Sequence, residues 1–158
     1  MNEPAKTLRY GYRGYVNHQP FVGHCIPAGQ QNTILSSYAG RNGLTFLLSI
    51  QELNFVGSYI MLNELLHQAN ELEGIIMTSL FQLPEDTDMR NSAVKSCLQA
   101  GCEIHFVFEN LILRNVEEVS RMDTIRNVVN IIGHCPRLIP QELQPDFLPY
   151  ASFTDTNA

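Results

Sequence analysis

Residues 74–80 read Gly-Ile-Ile-Met-Thr-Ser-Leu, and residues 44–50 read Leu-Thr-Phe-Leu-Leu-Ser-Ile. Each stretch is a short, nearly continuous apolar run, which is typical of a strand covered on both faces, as in a parallel sheet. Apolar residues between the two runs recur at helical spacing; they are Met61, Leu62, Leu65, Leu66 and Ala69. A strand, a helix and a second strand in this order predict two parallel strands joined by a right-handed crossover.

The same alternation of strands and helices extends to both sides of these runs. Leu8–Val16 and Glu103–Glu109 alternate apolar and polar side chains, which predicts two further strands. Apolar stripes and capping residues predict helices over 30–42, from Ser58 onward, from Asp86 or Thr87 to Gly101, and from Asn115 to Gly133. We therefore predict an α/β fold of three layers, in which helices flank a mostly parallel four-stranded sheet. The domain covers residues 1–133, and the proline-rich residues 134–158 form an extended C-terminal tail.

The composition restricts the class of protein. The chain has 158 residues, of which 44% are hydrophobic and 16% charged, so it is expected to form one packed domain and not a disordered chain or a coiled coil. Its formal net charge of −6 argues against a nucleic-acid partner, since such proteins normally carry a basic face. No apolar run reaches the ~20 residues that span a bilayer, so no membrane partner is expected. The absence of a signal-like segment and of a Cys-x-x-Cys pair predicts a cytoplasmic protein with reduced cysteines.

Polar residues follow each of the four predicted strands. In open parallel sheets a ligand binds beyond the carboxyl ends of the strands, at the point where the strand order reverses. The predicted strand ends are residues 17–19, 49–52, 79–82 and 109–110. We therefore expect a cavity at this edge of the sheet, lined by Arg13, Ser79, Gln82 and Glu109.

Four residues at this edge are candidate catalytic groups. His18 could act as a proton carrier, although a solvated loop histidine is the simpler interpretation. Glu52 and Glu109 could divide acid and base roles, or Glu109 could cap neighbouring backbone groups. Ser79 could be a nucleophile only if a base reached it; the alternative is a hydrogen bond to nearby backbone.

The sequence predicts neither a metal site nor a cofactor. The adjacent pairs His24-Cys25 and His134-Cys135 lack the two-to-four-residue spacing that lets both side chains ligate one zinc ion. Gly11 and Gly14 lie inside the first strand, so they do not form a dinucleotide fingerprint, and no phosphate-binding loop is present.

The order of elements from Arg9 to about Asn115 resembles the catalytic domain of serine recombinases, the resolvases and invertases. Residues 12–17 are similar to the family's opening strand, which leads to the nucleophile, and Gln30-Gln31 lie where a glutamine opens its first helix. The position of the nucleophilic serine holds Asn17, and Gln82 and Glu85 replace two expected arginines. The resemblance therefore implies the fold, while strand exchange is not expected.

A second resemblance covers nearly the whole chain except its last ~20 residues, given the usual uncertainty of boundaries. Proteins of the sporadic carbohydrate cluster family have similar stretches at residues 13–16, at 26–27 with 31–32, at 79–84, and at 105–106 with 109–111. That resemblance implies a place in bacterial surface-carbohydrate biosynthesis, with a sugar or nucleotide-sugar ligand bound or converted at the strand ends.

Within this interpretation, Arg13 would hold an anionic group of the ligand through its fork of donors. The candidate substrate-binding residues are Arg13, Tyr15, Asn17, Gln31, Gln82 and Asn110. The alternative interpretation is a non-catalytic accessory module that forms a homodimer through residues 116–133, whose apolar stripe would pack against a second chain.

Overall fold

A computed structural model describes residues 9–20 and 25–135. The regular elements are, in chain order, β1 (Tyr12–Val16), α1 (Ala28–Arg41), β2 (Phe46–Gln51), α2 (Ile60–His67), β3 (Gly74–Met77), α3 (Thr87–Gln99), β4 (Glu103–Phe106), β5 (Leu111–Leu113) and α4 (Val119–His134). Short 3₁₀ turns at Ala69–Glu71, Leu80–Gln82 and Val116–Glu118 connect some of them. The predicted tail begins one residue inside α4, and residues 136–158 lie outside the described part of the chain.

The sheet confirms the predicted α/β class and adds one strand to it. The strand order is β2-β1-β3-β4-β5, in which β1 is parallel to both of its neighbours and β3 is parallel to β4. The chain runs outward from β1 to β2 and then crosses back to β3, so the order reverses between β1 and β3. This reversal places a cleft beyond the carboxyl ends of those two strands.

The prediction of four strands was wrong, because β5 pairs antiparallel with β4 at the edge of the sheet. A run of three apolar residues, Leu-Ile-Leu, is too short to show the period of a strand in the sequence. The turn between the two strands ends at Asn110, whose φ of 47° lies in the left-handed region that asparagine tolerates better than most residues. Asn110 therefore shapes a hairpin.

The two faces of the sheet bury different helices. One face packs α2, α3 and α4 in the larger core cluster, which includes Leu62, Val94 and Met122. The other face packs α1 in a smaller cluster with Leu35 and Ala39. Helices thus cover both faces, which confirms the three predicted layers. Within residues 9–20 and 25–135, no helix is long and apolar enough to cross a bilayer.

Most helix ends lie where the sequence predicts them. Gly43 and Gly101 have φ of 66° and 70° just beyond α1 and α3, as C′ glycines do. Asp86 caps α3 through the backbone N–H of Met89. The predicted end at Gly133 was short by one residue, since α4 continues to His134.

The predicted cap of α2 was wrong. The Ser58 hydroxyl donates a hydrogen bond of 2.9 Å to the carboxylate of Glu52 and binds no helix N–H group. That carboxylate itself accepts the backbone N–H groups of Met61 and Leu62. A negative charge at the N-terminus of a helix satisfies its free N–H groups and its dipole, so Glu52 takes the place of the expected serine.

Candidate functional site

A cavity of about 340 Å³ lies beyond the carboxyl ends of β1 and β3, where the strand order reverses. Asn17, which follows β1, and Gln82, in the turn after β3, form part of its wall. Its volume is that of a small-molecule site, and its position agrees with the rule for open α/β sheets. The prediction of a cavity at this edge of the sheet is therefore confirmed.

Behind the cavity, a chain of hydrogen bonds begins at Glu52, directly after β2. The Tyr15 hydroxyl donates a hydrogen bond of 3.0 Å to the Glu52 carboxylate, and both residues are buried. The Asn17 amide lies 3.4 Å from the Tyr15 hydroxyl oxygen and donates to it. The backbone N–H of Glu52 also donates a hydrogen bond to the carbonyl of Val16, so the backbone ladder between β1 and β2 continues one residue beyond the end of β2.

The chain continues through two glutamine side chains. The Gln31 amide nitrogen donates hydrogen bonds of 2.7 Å to the carbonyls of Asn17 and Ile26. The Gln31 side-chain oxygen accepts the backbone N–H of Asn17 at 3.3 Å and the Gln82 amide at 2.8 Å. Every hydrogen-bonding position of the Gln31 amide is therefore occupied, although the side chain is fully buried.

The last part of the chain joins β3 to the β4–β5 turn. The Gln82 side-chain oxygen accepts the backbone N–H of Ser79, which closes a capping box around the turn Leu80–Gln82. The Ser79 hydroxyl donates a hydrogen bond of 2.6 Å to Glu109, and the backbone N–H of Leu80 binds the other oxygen of that carboxylate. Charge-assisted hydrogen bonds of this length are among the stronger ones in proteins.

The electrostatics of Glu52 and Tyr15 follow from this arrangement. Burial alone would raise the pKa of Glu52, but hydrogen bonds from Ser58 and from the backbone of Leu53, Met61 and Leu62 outweigh it, so the pKa lies below its ordinary value. Burial and the neighbouring Glu52 carboxylate raise the pKa of the Tyr15 phenol well above its ordinary value. Glu52 is therefore ionised and Tyr15 is neutral at neutral pH.

Seven of the predicted site residues belong to this one hydrogen-bonded chain, which we call the edge network. Its members are Tyr15, Asn17, Gln31, Glu52, Ser79, Gln82 and Glu109. Only Asn17 and Gln82 also line the cavity, so the expected lining by Arg13, Ser79 and Glu109 was wrong. The edge network holds the strand ends together beneath the cavity, and its other members do not line it.

Three predicted site residues lie outside the edge network. Arg13 occupies the second position of β1, far from the strand's carboxyl end, and its guanidinium donates to the Gln68 side chain at 2.9 Å. His18 contacts Gln51 with a side-chain nitrogen separation of 2.6 Å and does not line the cavity. Asn110 is exposed in the β4–β5 turn. These positions do not support the binding roles predicted for Arg13 and Asn110 or the catalytic role predicted for His18.

The sequence alone did not single out most of the cavity wall. Tyr59 and Phe81 contribute aromatic surface, and Glu85 and Asp86 contribute carboxylates. These residues lie in connections, where no periodic pattern marks them. The one signal in the sequence was the position of residues 81–86, which begin two positions after the strand-end serine, Ser79.

Two arginines support this wall from behind without lining it. Arg90 is buried, and its guanidinium donates hydrogen bonds of 3.1 and 2.8 Å to the carbonyls of Pro84 and Glu85. Arg126 donates to the carbonyl of Leu80, and its guanidinium carbon lies 5.2 Å from the centre of the Phe81 ring. Both arginines therefore fix the backbone that carries the aromatic and acidic lining residues.

A metal site is not evident in residues 9–20 and 25–135, because nowhere in that part of the chain do three histidine, cysteine or acidic side chains gather. Of the two adjacent His-Cys pairs, His24 lies outside the described residues. His134 binds the carbonyl of Asn130 within its own helix, and Cys135 is an exposed free thiol.

Several solved structures share this fold. A resolvase family site-specific recombinase from Streptococcus pneumoniae has a TM-score of 0.59 at 10% identity, covering 78% of this chain and 89% of that chain. The N-terminal catalytic domain of TP901-1 integrase has a TM-score of 0.55 at 13% identity, covering 78% and 95%. The C-terminal catalytic domain of ISC1926 TnpA, an IS607-like serine recombinase, has a TM-score of 0.52 at 12% identity, covering 78% and 81%.

At these identities the likeness concerns the fold alone. It confirms the predicted resemblance to the catalytic domain of serine recombinases. No family model matches this chain, and no curated protein matches it in sequence.

Proposed function

We propose that this protein binds a sugar in the cavity between the ends of β1 and β3. The observation that carries the proposal is the composition of the wall, which combines the aromatic residues Tyr59 and Phe81 with amide and carboxylate groups. Aromatic surface packs against the C–H face of a sugar ring, and amides and carboxylates bind its hydroxyls. The resemblance to the sporadic carbohydrate cluster family is in accord with this ligand class.

The site is better suited to binding than to conversion. Glu52 holds the N-terminus of α2 through two backbone N–H groups, and Glu109 binds Ser79 and a backbone N–H group. Ser79 is buried, so it is not placed to attack a ligand. A general acid or base must reach the proton that it moves, and neither carboxylate lines the cavity.

Titration with sugars tests this proposal. Isothermal calorimetry with a panel of free hexoses, N-acetylhexosamines and uronic acids should show saturable binding. The exposed Glu85, a lining carboxylate, should contribute to it, so Glu85→Gln should weaken binding about tenfold, the value of one charged hydrogen bond. Glu71→Gln is the matched control, because Glu71 is exposed at the amino-terminal edge of the sheet. Absence of binding across the panel would refute the proposal.

A second candidate function is that of a dimeric accessory module, and one observation favours it. The last turns of α4 expose Val128, Ile131 and Ile132 at 48%, 64% and 63%. Such a row of apolar side chains on one helix end is typical of a surface that another chain covers. Light scattering should then give twice the chain mass, and Ile131→Glu should return it to that of one chain. A monomer at all concentrations would exclude this candidate.

A further inference from the structure

A second cavity, of about 410 Å³, lies between α2 and α3. Its wall contains the polar side chains of Asn63, His67, Ser92 and Ser96. Met89, whose side chain is 51% exposed, lines this cavity and also the cavity at the strand ends. Because Met89 belongs to both walls, the two cavities are adjacent, and we refer to them together as the cleft.

We propose that the ligand is an uncharged oligosaccharide that lies along this cleft, with one end between β1 and β3 and the other between α2 and α3. The inference rests on the proposed sugar-binding function and extends it to a ligand of several sugar units. Each cavity has the volume of a small-molecule site. A ligand confined to the first cavity would leave the second one unused.

The charges of the cleft disfavour a nucleotide sugar. Of the described residues that line the first cavity, two are acidic, Glu85 and Asp86, and none is lysine, arginine or histidine. A pyrophosphate would lie beside like charge there, which costs several kcal/mol in an interface. Two arginines behind the wall are already engaged, since Arg90 binds the carbonyls of Pro84 and Glu85 and Arg126 binds that of Leu80.

The second cavity has the hydrogen-bonding groups that sugar hydroxyls require. Ser92 and Ser96 follow one another by one helical turn on α3, and Asn63 faces them from α2. Hydroxyl and amide groups both donate and accept, as sugar hydroxyls do. Met89 can follow the contour of a ligand that crosses it, because its side chain is unbranched and flexible.

Calorimetry with chains of increasing length tests the inference. Glucose, galactose and N-acetylglucosamine would be compared with their di-, tri- and tetrasaccharides and with UDP-glucose and UDP-N-acetylglucosamine. We expect the affinity of the preferred sugar to rise at least tenfold from monosaccharide to tetrasaccharide, and the nucleotide sugar to bind no more tightly than the free sugar.

A variant and its control test whether the rise in affinity with chain length comes from the second cavity. Ser92→Leu places a larger aliphatic side chain, with neither a hydroxyl nor an aromatic face, at an exposed position of that cavity, so it should abolish the gain with chain length and leave monosaccharide affinity within about twofold. Ser36→Leu, at an exposed position of α1 on the other face of the sheet, is the matched control and should bind as the unaltered protein does. Thermal melting of both variants checks that they fold.

The outcomes separate this inference from the proposed function. Equal affinities for monosaccharide and tetrasaccharide, or a gain that Ser92→Leu leaves intact, would overturn the inference and leave sugar binding standing. Tighter binding of a nucleotide sugar than of the free sugar would also overturn it. If no sugar of any length binds, both proposals fail.

Discussion

The Tyr15 hydroxyl donates a hydrogen bond of 3.0 Å to the buried carboxylate of Glu52. One residue belongs to β1 and the other directly follows β2, so the bond joins two neighbouring strands at the edge where the cavity begins. The same carboxylate caps α2. The ionised carboxylate of Glu52 therefore holds both the end of β1 and the N-terminus of α2. Through Tyr15 it also supports Asn17 in the cavity wall.

Glu52→Gln should lower the free energy of unfolding by about 2 kcal/mol, because the amide replaces a charged acceptor and turns a donor toward other donors. Urea unfolding measures the change. Glu64→Gln, at an exposed position of α2, is the control and should change stability by less than about 0.5 kcal/mol. An equal effect of the two substitutions would contradict the capping role of Glu52.

Gln31→Glu should destabilise the protein by about 3 kcal/mol at pH 7. The new carboxylate would place an oxygen against the carbonyls of Asn17 and Ile26, which the Gln31 amide nitrogen now binds at 2.7 Å. Because the protonated acid can donate one hydrogen bond, part of the loss should be recovered as the pH falls toward 5. Gln30→Glu, at the exposed neighbouring position, serves as the control in the same chemical unfolding series.

His105 makes stability depend on pH. Its Nε2 lies 2.9 Å from a Glu103 carboxylate oxygen, which only accepts, so Nε2 carries the hydrogen and Nδ1 accepts the Tyr38 hydroxyl. Burial lowers the pKa of His105 below its ordinary value of 6.5, against the opposing effect of Glu103. The unfolded chain therefore binds a proton more readily than the folded protein.

It follows that the contribution of His105 to stability is full above pH 6.5 and decreases as the pH falls toward its lower folded pKa. Thermal melting between pH 7.5 and 5 should show a steeper fall for the unaltered protein than for His105→Gln. His67→Gln, at an exposed position at the end of α2, is the control and should keep the full slope. A His105→Gln curve with the slope of the unaltered protein would count against this account.

Arg90→Lys should weaken sugar binding although Arg90 does not line the cavity. One guanidinium nitrogen of Arg90 donates to the carbonyls of Pro84 and Glu85, and the other donates to the Thr87 hydroxyl. A lysine keeps the charge but loses the planar group that holds all three acceptors. We expect a loss of about 1–2 kcal/mol in stability and an affinity reduced several-fold. Calorimetry at a temperature where the variant is folded separates the two effects. Unchanged affinity in a destabilised variant would limit Arg90 to a structural role.

The sequence predicted the framework of the site well and its wall poorly. Asn17, Ser79 and Gln82 could be found because a parallel sheet brings the carboxyl ends of its strands to one edge. The prediction that Arg13 lines the cavity was wrong because Arg13 lies within β1, three positions before its carboxyl end. Closeness to a strand end in the sequence does not bring a side chain to the edge of the sheet. Tyr59, Phe81 and Glu85 come together only through the path of the loops, which no periodic pattern encodes.

The saturated amide of Gln31 has an evolutionary consequence. Its side chain has no spare hydrogen-bonding position, and one of its partners, Gln82, lies 51 residues away in the sequence. A mutation at either position leaves the other with an unmet polar group in the interior, so selection should remove single changes and retain compensated pairs. Among diverged descendants of a common ancestor, positions 31 and 82 should therefore vary together.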